Sequence, residues 1–282
     1  NTASNNSDGI SLHYSSNNII ANNTASNNDD GISLYYSSNN NTIANNTVSS
    51  NGWSGISLWC SSNSNTIANN NVSSNNYNGI YLYKSNNNII ENNTASNNSD
   101  GIHLYYSSNN IIENNIASNN SDGIYLYKSN NNIVANNTAS NNGNGIHLYY
   151  SSNNTVANNT FLLNGMFVVA YNNTVVNNTV NGKPLVYLEN VSDYIVEDAG
   201  QVIAINSNNI TVKNSNLSYA TIGIQFSNTN NSKIINNTAS NNWNGIGLWY
   251  SSNNIIANNT ASNNEYGISL DYSSNNKIYL NN

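Results

Sequence analysis

Two kinds of side chain in this sequence could do chemistry, and both recur at fixed spacing. Carboxylates stand in steps of 22 residues as Asp8 and Asp30 and again as Asp100 and Asp122, and a denser group follows at Glu189, Asp193, Glu197 and Asp198. Adjacent like charges could hold calcium, and two carboxylates at a suitable separation are what glycoside hydrolysis requires. The second kind is aromatic: after His13 come Tyr35, Trp59, Tyr83, Tyr105, Tyr127 and Tyr149 at steps of 22 or 24, and later Trp249. Such side chains offer apolar area with polar edges, which suits sugar rings or a protein partner. His103 and His147 share a further column two steps apart.

What positions these residues is a repeat. A glycine precedes an aliphatic pair at Gly9, Gly31, Gly55, Gly79, Gly101, Gly123 and Gly145, and again at Gly223, Gly245 and Gly267. Strand side chains alternate between faces, so Ile102 and Leu104 point inward while His103 and Tyr105 point outward. The same phase returns once per repeat, so like residues stack on like residues in a parallel sheet wound into a solenoid. The expected fold is an all-β, right-handed parallel β-helix of about a dozen coils of 22–24 residues. Each coil holds three short strands, for example 31–36, 42–45 and 47–49, separated by Asn, Ser and Gly turns. The chain reads as a single domain, with regular coils over 1–160, irregular coils over 161–222 and regular coils over 223–282.

Alternation also predicts that Asn22, Asn45, Asn69, Asn92, Asn114, Asn136, Asn158, Asn236 and Asn258 face inward and form an amide ladder. The Asn-x-Thr sequons at Asn22, Asn92 and Asn136 would then be closed to glycans, leaving turn sequons such as Asn5, Asn40 and Asn153 as acceptors. The Asp or Asn before each glycine reads as a turn residue supporting positive φ. His103 and His147 lie about 10 Å apart by strand spacing, too far to share a metal. Rows of Thr-Ala-Ser resemble those of ice-binding solenoids but are interrupted at Asn71, Ile116 and Phe161.

Composition excludes several classes. Charged residues are 7% of the chain and the net charge is −7, which leaves nothing to neutralise a phosphate backbone, so nucleic acid is not an expected partner. One cysteine, Cys60, rules out an internal disulfide framework. No apolar run approaches the roughly 20 residues of a membrane span, and no signal peptide is evident. The chain opens inside a repeat, so it reads as a segment of a longer or processed protein.

The repeat Asn-Asn-Thr-Ala-Ser-Asn-Asn-Ser-Asp-Gly-Ile-His-Leu-Tyr-Tyr-Ser-Ser-Asn-Asn at 92–110 resembles the NosD-like β-helix repeats abundant on archaeal cell surfaces. So do the stretches Asn-Gly-Lys-Pro-Leu-Val-Tyr-Leu-Glu-Asn at 181–190 and Asp-Ala-Gly-Gln-Val-Ile-Ala-Ile at 198–205. The resemblance implies a right-handed helix and an extracellular, cell-surface location. The family is named for a copper-associated protein, but no cluster of His, Cys and Met stands here to hold copper. Enzymatic β-helices such as pectate lyases and polygalacturonases act through clustered carboxylates and basic residues, and the basic half is missing.

The sequence therefore predicts a structural or adhesive extracellular solenoid with no enzymatic activity, no catalytic residue, no metal and no cofactor. The alternative is a carbohydrate-binding module using the aromatic stripe. Expected partners are further coils, or copies of itself end to end or side by side, and polysaccharide.

Overall fold

The computed structural model describes residues 1–282, with no helix and 35 strands. The chain winds as a right-handed β-solenoid of about 13 turns. Two compact units are formed: Asn1–Asn159 with Val168–Thr174, and Thr160–Phe167 with Val175–Asn282.

Within the first unit, regular coils run through one long and two short strands, as in Asp100–Tyr105, Ile111–Glu113 and Ile116–Ser118. Neighbouring coils pair in parallel and in register: Ile80, Ile102 and Ile124 align, as do Leu82, Leu104 and Leu126. These residues are fully buried, so the inward columns stack aliphatic on aliphatic. β-branched residues suit this pleated, crowded interior.

The glycine column is needed for closeness and not for a turn. Among glycines only Gly182 has positive φ. A Cβ on Gly101 would lie 2.5 Å from the Gly123 carbonyl oxygen and 3.0 Å from the Asn120 amide, so the backbone itself occupies that space. The Asp or Asn before the glycine is correspondingly on the strand, as in Asp30–Tyr35 and Asn78–Tyr83. The turn role expected for this Asp and Asn column is therefore not what the structure shows.

The coil corners are built from left-handed residues, and here the predicted ladder shifts by one place. Asn22, Asn92 and Asn136 have φ of 57°, 56° and 56° and are exposed. The buried ladder is formed by the residue after each of them: Asn23, Asn46, Asn70, Asn93, Asn115, Asn137 and Asn159. A left-handed residue rotates the chain out of the strand's twofold alternation, so counting by two fails across it. Each rung's amide donates both to the next rung and, in most coils, to a core carbonyl, as Asn115 does to Asn137 (3.0 Å) and Ile90 (2.9 Å). Parallel ladders occupy other corners, through Asn41, Asn65, Asn88, Asn110 and Asn132, and through Asn51, Asn75, Asn98 and Asn120. The amides of these ladders are thus satisfied, whereas at a later corner the buried Asn164 Oδ1 has no partner.

The second unit contains a hairpin in which Thr179–Val180 pairs antiparallel with Lys183–Glu189 around Asn181 and Gly182. Shorter coils of Lys183–Glu189, Ser192–Glu197, Gln201–Ile205 and Asn208–Lys213 follow, before regular coils resume. Gln201 is fully buried. Its Oε1 accepts from the Met166 N–H (2.8 Å) and its Nε2 donates to the Met166 and Ile222 carbonyls (2.7 and 2.9 Å). The side chain therefore stands in for a strand's peptide group where the ladder is interrupted.

Candidate functional site

The long-strand sheet of the first unit carries three adjacent outward columns. The stripe expected from the sequence is the middle one, and its members are half-buried. Ring centroids are 5.7 Å apart for Tyr83 and Tyr105, 4.8 Å for Tyr105 and Tyr127 and 5.7 Å for Tyr127 and Tyr149, with interplanar angles of 30°, 6° and 25°. Trp59 continues the row, 5.3 Å from Tyr83. Rings so stacked turn their faces to each other and their hydroxyl edges outward. The stripe is a comb of phenols, not the flat platform the spacing suggested. Tyr35 stacks on His13 at 4.7 Å. Trp249, in the second unit, aligns with Ser227 and Asp271 and folds over Gly247, where an added Cβ would meet the indole at 2.4 Å; it belongs to no ladder.

The second column holds Tyr81, His103, Tyr125 and His147. Tyr125 sits between the two imidazoles at 4.6 Å from each. His103 Nδ1 is 3.0 Å from Asp100, and His147 Nδ1 is 3.0 Å from Asp122, whose other oxygen accepts from Asn144 (2.5 Å). The Asp100 and Asp122 pair is thus engaged by histidines and an amide, while Asp30 accepts from the Ser54 N–H (3.0 Å). Burial pushes the Tyr81 phenol up to about 12, and burial together with Asp122 and Asp100 pushes Tyr125 up as well. Both remain hydrogen-bond donors at neutral pH.

The third column is the corner that ends each long strand, and sequence reasoning missed it by continuing the strand through Tyr36. Tyr14, Tyr36, Cys60, Lys84, Tyr106, Lys128 and Tyr150 all have positive φ, whereas every other positive-φ residue of the first unit is Asn or Ser. The tyrosines are 75%, 46%, 40% and 56% exposed. Tyr106 stands at 80° to Tyr105 and 75° to Tyr127, so its plane crosses the comb. The signal was present as the one corner column lacking Asn.

The acidic group in the second unit does not converge. Glu189 accepts from the Tyr187 hydroxyl (2.8 Å), Asp193 from Asn209 (2.6 Å), Glu197 pairs with Lys213 (3.0 Å) and Asp198 with Lys183 (2.5 Å).

The profile of the right-handed β-helix region matches residues 54–202 and 189–282. The chain belongs to the right-handed β-helix family. Residues 1–78 also match the profile described as periplasmic copper-binding protein (NosD). The donors present do not fit copper: no group of three or more His, Cys, Asp or Glu is placed to hold a metal, and Met166 is fully buried.

No curated protein matches. Among solved structures, the chain is similar to the catalytic domain of a GH87 α-1,3-glucanase in complex with nigerose, with TM-score 0.57, 19% identity, 100% of this chain and 63% of that one covered. It is similar to the Azotobacter vinelandii mannuronan C-5 epimerase AlgE4 A-module, with TM-score 0.53, 14% identity and 93% and 81% covered. The periplasmic alginate epimerase AlgG matches at TM-score 0.49 and 24% identity over 62% of this chain, which spans 44% of that one.

These similarities correct the expectation that the chain is no enzyme: this scaffold, as the glucanase and epimerase domains show, carries catalysis. Spacing along the chain misled here because a solenoid assembles side chains from successive coils. Asp122 and His147 meet although 25 residues apart, and linear spacing hides such pairs.

The sequons also need correction. Asn5, Asn40 and Asn153 are exposed, but so are Asn22, Asn92 and Asn136. In a host that N-glycosylates, peptide mapping should find Asn92 and Asn136 as open to modification as Asn5 and Asn153. Bare Asn92 and Asn136 beside filled turn sequons would contradict their outward placement.

Proposed function

We propose that this chain is an extracytoplasmic solenoid that adheres to polysaccharide through the long-strand face of its first unit. The observation that carries this is the left-handed corner column. An ordinary L side chain in that conformation costs roughly 1–2 kcal/mol, which Asn largely avoids, and strained positions persist where the side chain has a use. Here that use is exposed aromatic surface beside a comb of donor hydroxyls, the combination that holds sugar rings. The location is supported by the periplasmic description of the NosD profile, and the ligand class by the polysaccharide-active domains that share the fold.

The test replaces Tyr106 and Tyr150 by Asn, the residue other corners use. The double variant should melt close to the parent, because relief of backbone strain offsets the lost ring contacts to Tyr105, Tyr127 and Tyr149. Its retention on insoluble polysaccharide should fall at least about tenfold, or about 1.4 kcal/mol. Unchanged retention would defeat the proposal.

A further inference from the structure

We infer that the polysaccharide is anionic, a uronate-bearing chain lying along the solenoid axis with carboxylates against Lys84 and Lys128; this rests on the polysaccharide reading of the same face. The protein has six basic residues, all lysine, against thirteen acidic ones. Lys183 and Lys213 are paired with Asp198 and Glu197, whereas Lys84 and Lys128 enter no ion pair. Both occupy the corner column in the left-handed conformation, with φ of 48° and 47°, where Asn would be cheaper.

Both ammonium groups are also held in place. Lys84 Nζ lies 5.0 Å from the Tyr83 ring centroid, and Lys128 Nζ lies 5.3 Å from those of Tyr106 and Tyr127. Lys128 further donates to the Tyr106 hydroxyl at 3.1 Å. Cations fixed over aromatic rings lose little further freedom on meeting an anion. The lysines are two coils apart, about 10 Å by strand spacing, close to the advance of two pyranose rings in an extended chain. Tyr106 lies on the coil between them, placed to meet the intervening sugar. The carboxylates of Asp100 and Asp122 stand at the start of the long strands, hydrogen-bonded to His103 and His147, whereas the lysines follow the strands' far ends. One exposed ion pair contributes little, but a polyanion engages both lysines at once.

The second unit supplies an internal control. Lys233 and Lys277 are likewise two coils apart and exposed, but they stand on strands with ordinary φ. Binding of polymannuronate and polygalacturonate, with uncharged α-1,3-glucan alongside, is measured for the parent protein, K84N/K128N and K233N/K277N. The parent should prefer the polyuronates and weaken as ionic strength rises from about 0.05 to about 0.5 M. K84N/K128N should lose at least about tenfold in polyuronate affinity, equivalent to about 1.4 kcal/mol, and K233N/K277N should not change. Equal binding of the neutral glucan with K84N/K128N unaffected overturns the anionic assignment and leaves polysaccharide adhesion standing. An equal loss in K233N/K277N also overturns it, since net charge alone would then explain the effect. Failure of the parent to bind any of the three polymers defeats both readings.

Discussion

Leu104→Asp should lower stability by on the order of 5 kcal/mol. Leu104 is fully buried and registers between Leu82 and Leu126. A carboxylate there has no partner, and shifting its pKa to stay neutral still leaves polar oxygens among stacked aliphatic side chains. The paired control is His103→Ser one residue earlier. Serine is preferable to aspartate there, because a carboxylate would face Asp100. The substitution removes stacking on Tyr125 and the contact to Asp100, at a cost of about 1 kcal/mol, the scale of one aromatic pair. Denaturant melts of the two variants should therefore differ widely. Coincident midpoints would contradict the inward placement of the leucine column.

Asn115→Ala should cost on the order of 4 kcal/mol, while Asn114→Ala should cost about 1 kcal/mol. The Asn115 side chain takes part in five hydrogen bonds: Nδ2 donates to Asn137, Ile90 and Glu113, and Oδ1 accepts the backbone and side-chain N–H groups of Asn93. Its removal orphans the Asn93 backbone N–H, takes a donor from the Ile90 carbonyl and leaves the Asn93 amide with Ile67 alone, and each group left unsatisfied carries its own desolvation penalty. Asn114 is exposed and has φ of 57°, so its alanine variant loses only tolerance of the left-handed corner. The comparison separates two adjacent asparagines that are chemically identical in the sequence. Equal destabilisation, or a larger loss at Asn114, would restore the ladder that simple alternation predicts.

Legibility in the sequence followed the regular strands closely. Strands expected over 31–36, 42–45 and 47–49 are found as Asp30–Tyr35, Thr42–Ala44 and Thr47–Ser49. Inside those segments, alternation placed Ile32 and Leu34 in the core, where they are fully buried. Errors begin one residue past each strand. Tyr36 reads as strand in the sequence and is a left-handed corner; Asn22 reads as buried and is exposed. The candidate site suffered most, because its two most informative columns lie at a corner and between coils.

The sequence by itself determined the repeat, the parallel in-register stacking and the identity of the aliphatic core columns, since period and burial are local consequences of which residues recur. It also supplied the aromatic columns. Only the tertiary structure decided which asparagine of each Asn-Asn pair is buried and which way the stripe's rings face. It also showed that Asp100 and Asp122 are tied to histidines and that Lys84 and Lys128 are held over tyrosines. The physical reason is that these outcomes depend on one rotation of the backbone at each corner and on the rise between coils. A left-handed residue reverses the inward and outward sense of everything after it. A coil of 22–24 residues brings together, at about 4.8 Å, side chains whose separation along the chain gives no sign that they touch.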